Sequence, residues 1–167
     1  MEIFPRTNSD SAKGADAQRY TIDEERAASS QRKVIRLLIV DDYQPLRRLA
    51  AAWLGSAEMT VVGEASNGEE AIDASLILKP DVVLMDYQMP CMDGLTAAGL
   101  LKQLPAPPRI VMWTSEAWGI ERAALRAGVD AVLQKGCSWR QLCQALTQAG
   151  SERSILEQGV AVERNDG

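Results

Sequence analysis

The chain has 167 residues, 46% of them hydrophobic and 25% charged, which favours one globular domain with terminal extensions. The formal net charge is −5 and basic residues do not cluster strongly, so a nucleic-acid-binding surface is not expected. Histidine is absent, and the three cysteines (Cys91, Cys137 and Cys143) have no CxxC spacing, which argues against a zinc site and against a disulfide framework.

The two ends of the chain differ from its centre in composition. Residues 1–33 are polar and are predicted to form a flexible N-terminal extension, with a partner-docking segment as the alternative. Residues 151–167 are predicted to be a short, frayed C-terminal tail. The N-terminus lacks a signal-peptide pattern and the apolar runs are too short to cross a bilayer, so we expect a cytoplasmic protein without membrane insertion.

The first half of the central region alternates between strand and helix patterns. An apolar run at 34–40 is typical of a buried strand, and Pro45 is suited to the beginning of the next helix. Three- and four-residue spacing places four apolar residues on one face of that helix, namely Leu46, Leu49, Trp53 and Leu54. A second strand is expected at Met59–Ala65, and a second helix at Glu69–Leu78 ends before Pro80.

The second half continues this alternation. Strands are expected at 81–86, 109–113 and 130–134, with helices at 94–104, at 116–127 and from Ser138 onwards. Strands that are apolar on both faces and joined by helices favour an α/β fold with a parallel sheet covered on both sides. Trp53 and Trp139 lie on apolar helical faces and are expected in the core, whereas Trp118 is expected to be exposed.

Polar side chains stand at the ends of four of the five predicted strands. Asp41 and Asp42 follow the first strand, Asp86 ends the third, Thr114 follows the fourth and Lys135 follows the fifth. Ligands of open parallel sheets bind at the carboxyl ends of the strands, so these side chains are expected to meet. Two carboxylates about 4 Å apart repel by about 4 kcal/mol at an effective dielectric of about 20. Mg²⁺ would relieve that repulsion, and with a lysine, a hydroxyl and an acceptor carboxylate it would equip the site for phosphoryl transfer.

Each of these residues also has a structural alternative. Asp41 and Asp42 could cap the first helix, and Thr114 could cap the helix that follows it. Lys135 could be an ordinary surface lysine. The occurrence of all of them at strand ends favours the site over the separate alternatives.

Four segments resemble the receiver domain of two-component response regulators. They are Leu38-Ile-Val-Asp-Asp42, the stretch DVVLMDYQMPCMDG from Asp81 to Gly94, Val111-Met-Trp-Thr-Ser-Glu116, and AGVDAVLQK from Ala127 to Lys135. They occur in the family's order, each at a predicted strand end. The resemblance covers about residues 34–150 and implies a receiver domain there. It also implies a flavodoxin-like (βα)5 fold, a doubly wound parallel sheet with strand order 2-1-3-4-5.

The resemblance implies a role for each acidic residue. Asp86 would be the nucleophile that becomes an aspartyl phosphate. Asp42, Asp86 and the backbone carbonyl of Gln88 would bind Mg²⁺ directly, and Asp41 would bind it through water. No enzymatic activity is implied beyond the chain's own phosphorylation and dephosphorylation.

Two further residues would contact the phosphoryl group by the same resemblance. Lys135 would hold a phosphate oxygen, and Thr114 would hydrogen-bond the phosphate and report it by moving. The donor would be a sensor histidine kinase or a His-containing phosphotransfer protein. The 17 residues at 151–167 are too few for an output domain, so a downstream protein partner is expected and direct DNA binding is not. The sequence leaves homodimerisation open.

Two positions depart from the family's pattern. Val132 stands where many members have an aromatic residue that turns inward on activation, and Gly136 follows Lys135 where some have a cis proline, so no cis peptide is expected there. The valine gives weight to a second hypothesis, an adaptor that keeps the fold and binds partners without phosphorylation. A phosphohydrolase resembling haloacid dehalogenases is disfavoured, since those enzymes need aspartate at the position of Gln88.

Overall fold

The computed structural model describes residues 34–55 and 58–159, so the predicted extension at 1–33 lies outside the described residues. Within these ranges, five strands alternate with five helices. The strands are β1 (Ile35–Val40), β2 (Met59–Ala65), β3 (Val82–Met85), β4 (Arg109–Thr114) and β5 (Ala131–Gln134). The helices are α1 (Gln44–Leu54), α2 (Gly68–Leu78), α3 (Gly94–Leu101), α4 (Glu121–Arg126) and α5 (Trp139–Gly159). The strands form one parallel sheet in the order β2-β1-β3-β4-β5, which confirms the expected flavodoxin-like fold.

The order of the strands places a crevice at the carboxyl ends of β1 and β3. From β1 the chain continues to β2 on one side of the sheet, and from β3 it continues to β4 on the other side. Ligands of open α/β sheets bind where the strand order reverses in this way. Val40 pairs with Met85 at the end of this ladder. Asp41 and Asp86, which come next on each strand, therefore lie side by side at the edge of the sheet.

Two hydrophobic clusters cover the two faces of the sheet. Leu37 and Ile39 of β1 pack on the face covered by α1 and α5, whereas Leu38 and Val40 pack on the face covered by α2, α3 and α4. This alternation follows the two-residue period of a strand. Full burial of each such side chain contributes about 1.5–3 kcal/mol, so these residues stabilise the sheet that carries the loops at its edge.

Two helices are shorter than the sequence predicted. The helix expected at 116–127 begins only at Glu121, because Gly119 has a φ of 89° and its N–H donates to the Glu121 carboxylate at 2.9 Å, which makes a turn. The helix expected at 94–104 ends at Leu101, because Pro105 has no N–H to donate to the Leu101 carbonyl. The segment between β4 and α4 is therefore a longer loop than expected.

The last helix is longer than predicted. α5 continues to Gly159, whereas a frayed tail was expected from residue 151. Gly150 lies inside this helix. A Cβ at this position would lie 2.6 Å from Cδ1 of Ile35, so the bare backbone of the glycine permits close packing on β1. Within the described residues, no helix combines the length and the apolar character needed to cross a bilayer.

The prediction that Trp53 lies in the core is wrong, because its side chain is 61% exposed. The buried positions of α1 are Ala50 and Leu54, and Trp53 lies beside this narrow stripe. Its indole stacks on that of Trp139, with ring centroids 5.6 Å apart and planes 7° from parallel. Trp139, which was also expected in the core, is only half-buried. Trp118 was expected to be exposed and is 85% exposed.

Candidate functional site

The three aspartates of the predicted site meet at the carboxyl end of the sheet. Asp41 and Asp42 follow β1, and Asp86 follows β3. Each offers a carboxylate oxygen that lies within 4.8 Å of the oxygens of the other two. Asp41 and Asp86 are 3% and 8% exposed, whereas Asp42 is exposed to solvent. The cluster thus has two buried carboxylates and one that faces solvent.

The loop after β1 fixes Asp41. Its Oδ1 accepts the backbone N–H of Tyr43 at 2.8 Å, and its backbone carbonyl accepts Nη1 of Arg47 at 2.5 Å. Arg47, which was not among the predicted site residues, also pairs with Glu64 of β2 at 3.3 Å. Tyr43 is the N-cap residue of α1, and no side chain caps that helix. The alternative in which Asp41 or Asp42 caps α1 is therefore wrong.

Lys135 supplies a positive charge to the two buried carboxylates. Its Nζ lies 2.6 Å from Oδ2 of Asp86 and 2.7 Å from Oδ2 of Asp41, and the side chain is 18% exposed. Burial of the ammonium acts to lower its pKa, but the hydrogen bonds to Asp41 and Asp86 outweigh burial and hold the pKa of Lys135 above its usual value of 10.5. Lys135 is therefore charged at neutral pH, and the surface-lysine alternative is wrong.

The backbone beside Asp86 is held by a glycine. Oδ1 of Asp86 accepts the N–H of Tyr87 at 2.7 Å, which leaves Oδ2 for Lys135. The N–H of Gly94 donates to the Tyr87 carbonyl at 2.7 Å, and a Cβ on Gly94 would collide with the carbonyl oxygen of Asp86. Gly94 was not among the residues predicted for the site, because a glycine after Asp93 is equally typical of an ordinary turn.

Thr114 ends β4 at the same edge and is almost fully buried. Its hydroxyl oxygen accepts the N–H of Glu116 at 3.2 Å, and its carbonyl accepts the N–H of Lys135 at 2.7 Å. Because α4 begins only at Glu121, Thr114 does not cap that helix. Thr114 therefore links the lysine of the site to the loop between β4 and α4.

An open depression of about 620 Å³ lies over this edge of the sheet. Its lining includes Asp42, Asp86, Gln88 and Thr114, so these four predicted residues share one solvent-facing space. Asp41 and Lys135 are not part of this lining, but Lys135 pairs with both Asp41 and Asp86 and so joins them to it. The structure thus brings together all six residues predicted for the site.

The two departures from the family pattern are visible near Lys135. Val132 is half-buried and packs against the cluster under α2, α3 and α4. Gly136 has a φ of 106°, a conformation that favours glycine, and the described residues contain no cis peptide bond, as expected.

The donor set fits a hard divalent cation such as Mg²⁺. All three acidic side chains present carboxylate oxygens, the ligand type that Mg²⁺ prefers, and they lie close enough to share one ion. Lys135 is the cation that pairs with the carboxylates of Asp41 and Asp86, and one ammonium beside three carboxylates leaves negative charge in excess. An acidic site of this kind agrees with the Mg²⁺ site that the resemblance to receiver domains implies.

Two curated relatives resemble this chain over its central region. Protein-glutamate methylesterase/protein-glutamine glutaminase 2 of Pseudomonas fluorescens is 42% identical over 106 residues, 60% of this chain and 28% of that protein. The nitrate/nitrite response regulator protein NarL of Escherichia coli is 34% identical over 133 residues, 78% of this chain and 62% of that protein. The chain therefore spans less than a third of the methylesterase, so the activity of that protein is not assigned to this chain.

Solved structures give the same result for the fold. The signal receiver domain of NarL from Mycobacterium tuberculosis superposes with a TM-score of 0.67 at 28% identity, over 71% of this chain and 98% of that one. The response regulator domain of Thermotoga maritima CheB gives a TM-score of 0.59 at 32% identity, over 81% of this chain and 100% of that one. Residues 37–147 match the family described as the response regulator receiver domain. With the fold, the acidic edge and these similarities in agreement, the chain belongs to the receiver-domain family of two-component response regulators.

Proposed function

We propose that the chain is a phosphorylation-activated signalling switch in which Asp86 accepts a phosphoryl group in a Mg²⁺-dependent reaction. The observation that carries the proposal is the environment of the Asp86 carboxylate. One oxygen is held by the N–H of Tyr87 and the other by Lys135, with the carboxylates of Asp41 and Asp42 alongside. A nucleophile held in this way, at the edge of an open depression, suits in-line attack on an incoming phosphoryl group.

The donor in this proposal is a phosphohistidine on a sensor histidine kinase or a His-containing phosphotransfer protein. A carboxylate oxygen of Asp86 forms a bond to phosphorus as the phosphorus–nitrogen bond of the donor breaks. The imidazole nitrogen keeps the electron pair of the broken bond and is protonated from water. The product is an aspartyl phosphate, and this self-modification and its reversal are the only reactions that we assign to the chain.

Asp42, Asp86 and the backbone carbonyl of Gln88 would hold Mg²⁺, with Asp41 acting through water. When bound, the ion neutralises charge on the phosphoryl oxygens. Lys135 already contacts Asp86, so its ammonium is placed to pair with a phosphate oxygen without leaving the site. These roles explain why three carboxylates crowd an edge where one lysine alone cannot balance them.

The signal would leave through Thr114 and the loop that follows it. The Thr114 hydroxyl can donate a hydrogen bond to a phosphate oxygen and release the hydrogen bond that it accepts from the Glu116 N–H. This exchange would shift the loop before α4. The surface formed by α4, β5 and α5 would then bind a downstream protein partner. On this proposal the chain acts in the cytoplasm without contacting DNA directly.

A second candidate function is a phosphorylation-independent adaptor with the same fold. Val132 favours it, because this half-buried valine offers no aromatic ring to turn inward when Thr114 moves. The adaptor would bind its partner equally well with Asp86 modified or unmodified. Partner affinity with and without the phosphoryl group separates the two functions.

Beryllofluoride, a phosphate mimic that attaches to carboxylates, tests the switch directly. Added with Mg²⁺ to the full chain, it is expected to change tryptophan fluorescence, because Trp113 immediately precedes Thr114. The change should be absent in Asp86→Asn and preserved in Asp73→Asn, a matched substitution at an exposed position of α2. A fluorescence change that persists in Asp86→Asn, or no change at saturating Mg²⁺, would contradict the proposal.

A further inference from the structure

An indole ring lies beside the ammonium group of Lys135. Nζ is 5.9 Å from the ring centroid of Trp113, and the same atom is 2.6 Å from Asp86 and 2.7 Å from Asp41. The ammonium is therefore bounded by two carboxylates and one aromatic face. A cation in this position is attracted by the negative electrostatic potential of the ring face.

Packing alone does not account for a tryptophan at position 113. The side chain is buried in the cluster under α1 and α5, yet its Nε1–H has no acceptor among the described residues. Buried indole N–H groups usually find a partner, and an unpaired one is unfavourable. An aliphatic residue would fill the position without that donor, so the aromatic face is the property that the position uses.

Two further tryptophans fix the orientation of this ring. Trp139 of α5 lies 5.8 Å from Trp113 between ring centroids, with the planes tilted by 51°. Trp139 in turn stacks on Trp53 of α1 at 5.6 Å. Three elements of the fold, β4, α5 and α1, thus hold the Trp113 ring in place beside Lys135.

We propose that Trp113 is a positioning residue of the phosphoryl-acceptor site, whose indole face keeps the Lys135 ammonium between Asp86 and Asp41. The inference rests on the proposed function, since the position of the ammonium matters when Asp86 accepts a phosphoryl group. A lysine side chain is flexible along its four-carbon stem. Without the ring, the ammonium would spend more time away from the incoming phosphoryl oxygens. Trp113 contacts no reacting atom in this scheme and acts through Lys135.

The test compares Trp113→Leu, which removes the aromatic face, with Trp113→Phe, which keeps one, in the full chain. Acetyl phosphate with Mg²⁺ is the probe, and the rate of adduct formation is followed by intact mass. Trp113→Leu is expected to slow adduct formation about three- to tenfold, and Trp113→Phe to stay within about twofold of the parent. Equal rates in the parent and in a folded Trp113→Leu would overturn the proposal. If Trp113→Leu does not fold, Trp113→Met gives the same comparison with a more adaptable side chain.

A double-mutant cycle separates positioning from a general effect on the fold. In a Lys135→Ala background, Trp113→Leu is expected to have no further effect on the residual rate, because the residue that it positions is gone. If Trp113→Leu lowers the rate of adduct formation by the same factor in both backgrounds, its role is merely structural and the proposal is overturned.

The Lys135 side chain also reports the contact before any phosphorylation. In NMR spectra of the unmodified protein, its Hε resonance is expected to carry a ring-current shift in the parent and in Trp113→Phe, and to lose it in Trp113→Leu. If the parent forms no adduct, the proposed function fails and the positioning role fails with it. If the parent forms the adduct and the Hε shift is unchanged in Trp113→Leu, the positioning role alone fails.

Discussion

The Nζ of Lys135 lies 2.6 Å from Oδ2 of Asp86, although β4 separates the strands that carry the two residues. The same Nζ also lies 2.7 Å from Oδ2 of Asp41. One ammonium thus serves carboxylates from two other strands. It does not balance the third carboxylate, Asp42, and this excess of negative charge leads to the first prediction.

Asp42→Asn should raise the free energy of unfolding in the absence of Mg²⁺ and abolish the stabilisation that Mg²⁺ provides. Removing the exposed carboxylate relieves its repulsion with Asp41 and Asp86, which we expect to be worth about 0.5–1 kcal/mol at this solvent-facing position. Mg²⁺ stabilises the folded state only in proportion to its binding there, so loss of a ligand removes the effect. Urea denaturation with and without Mg²⁺ measures both quantities.

Asp73→Asn is the control for this prediction, because it removes the same charge from an exposed position of α2. It should leave both the stability without Mg²⁺ and the Mg²⁺ effect close to those of the parent. An Asp42→Asn variant that is less stable than the parent, or that is still stabilised by Mg²⁺ to the same extent, would refute the assignment of Asp42.

Gly94→Ala should damage both the fold and the site. The added Cβ would collide with the carbonyl oxygen of Asp86 and lie 3.1 Å from Cα of Tyr87, so the backbone that carries the nucleophile must shift. Overpacking of this kind costs about 1–3 kcal/mol, and adduct formation should slow with it. Gly99→Ala is the matched control on α3, since nothing lies within 4 Å of its added Cβ.

Gly99→Ala should instead raise the free energy of unfolding by up to about 1 kcal/mol, because alanine favours the helix, and leave the rate of adduct formation unchanged. Denaturation curves and adduct rates for both variants check the pair. If Gly94→Ala and Gly99→Ala have the same free energy of unfolding and the same rate of adduct formation, Gly94 does not support the backbone of Asp86.

Asp130→Asn should destabilise the protein at neutral pH and less so in acid. Burial acts to raise the pKa of Asp130, but bonds from Lys102, the Ile110 N–H and Arg109 outweigh burial and hold that pKa below its ordinary value of 3.8. A depressed folded-state pKa contributes stability above the unfolded value, and this contribution is lost as pH falls through the folded value. We expect a loss of about 1–3 kcal/mol at pH near 7, since the carboxylate is partly buried.

Urea denaturation across the acid range measures this dependence, with Asp73→Asn again as the control. The difference in free energy of unfolding between the parent and Asp130→Asn should narrow as the pH falls below 3.8, the ordinary pKa of the carboxyl group. A difference that stays constant from neutral pH through this range would contradict a contribution from the ionised carboxylate.

The strand-end site was predictable because short-range patterns determine it. Apolar runs such as Ile35–Val40 mark buried strands, and in a parallel sheet the residues that follow them must share one edge. Asp42, Asp86, Thr114 and Lys135 therefore came together as expected. Their individual capping and surface alternatives could be rejected only once α1 and α4 had been located.

The features that were predicted wrongly, or not predicted, depend on contacts between residues that are distant in the sequence. The periodicity of α1 shows which face is apolar but not how wide the buried stripe is, so Trp53 was wrongly placed in the core. Gly150 resembles a helix stop, yet it meets Ile35 more than a hundred residues away in the sequence. The contacts of Lys135 with Trp113 and of Arg47 with Asp41 likewise exist only in the folded chain.

The most direct test of the central claim is the mass of the full chain after incubation with Mg²⁺ and acetyl phosphate. The chain is expected to gain one phosphoryl group, which hydroxylamine removes, as it does from an acyl phosphate, and peptide mapping should place that group on Asp86. Asp86→Asn should gain nothing under the same conditions. No gain of mass in the parent, or an equal gain in Asp86→Asn, would contradict Asp86 as the phosphoryl acceptor.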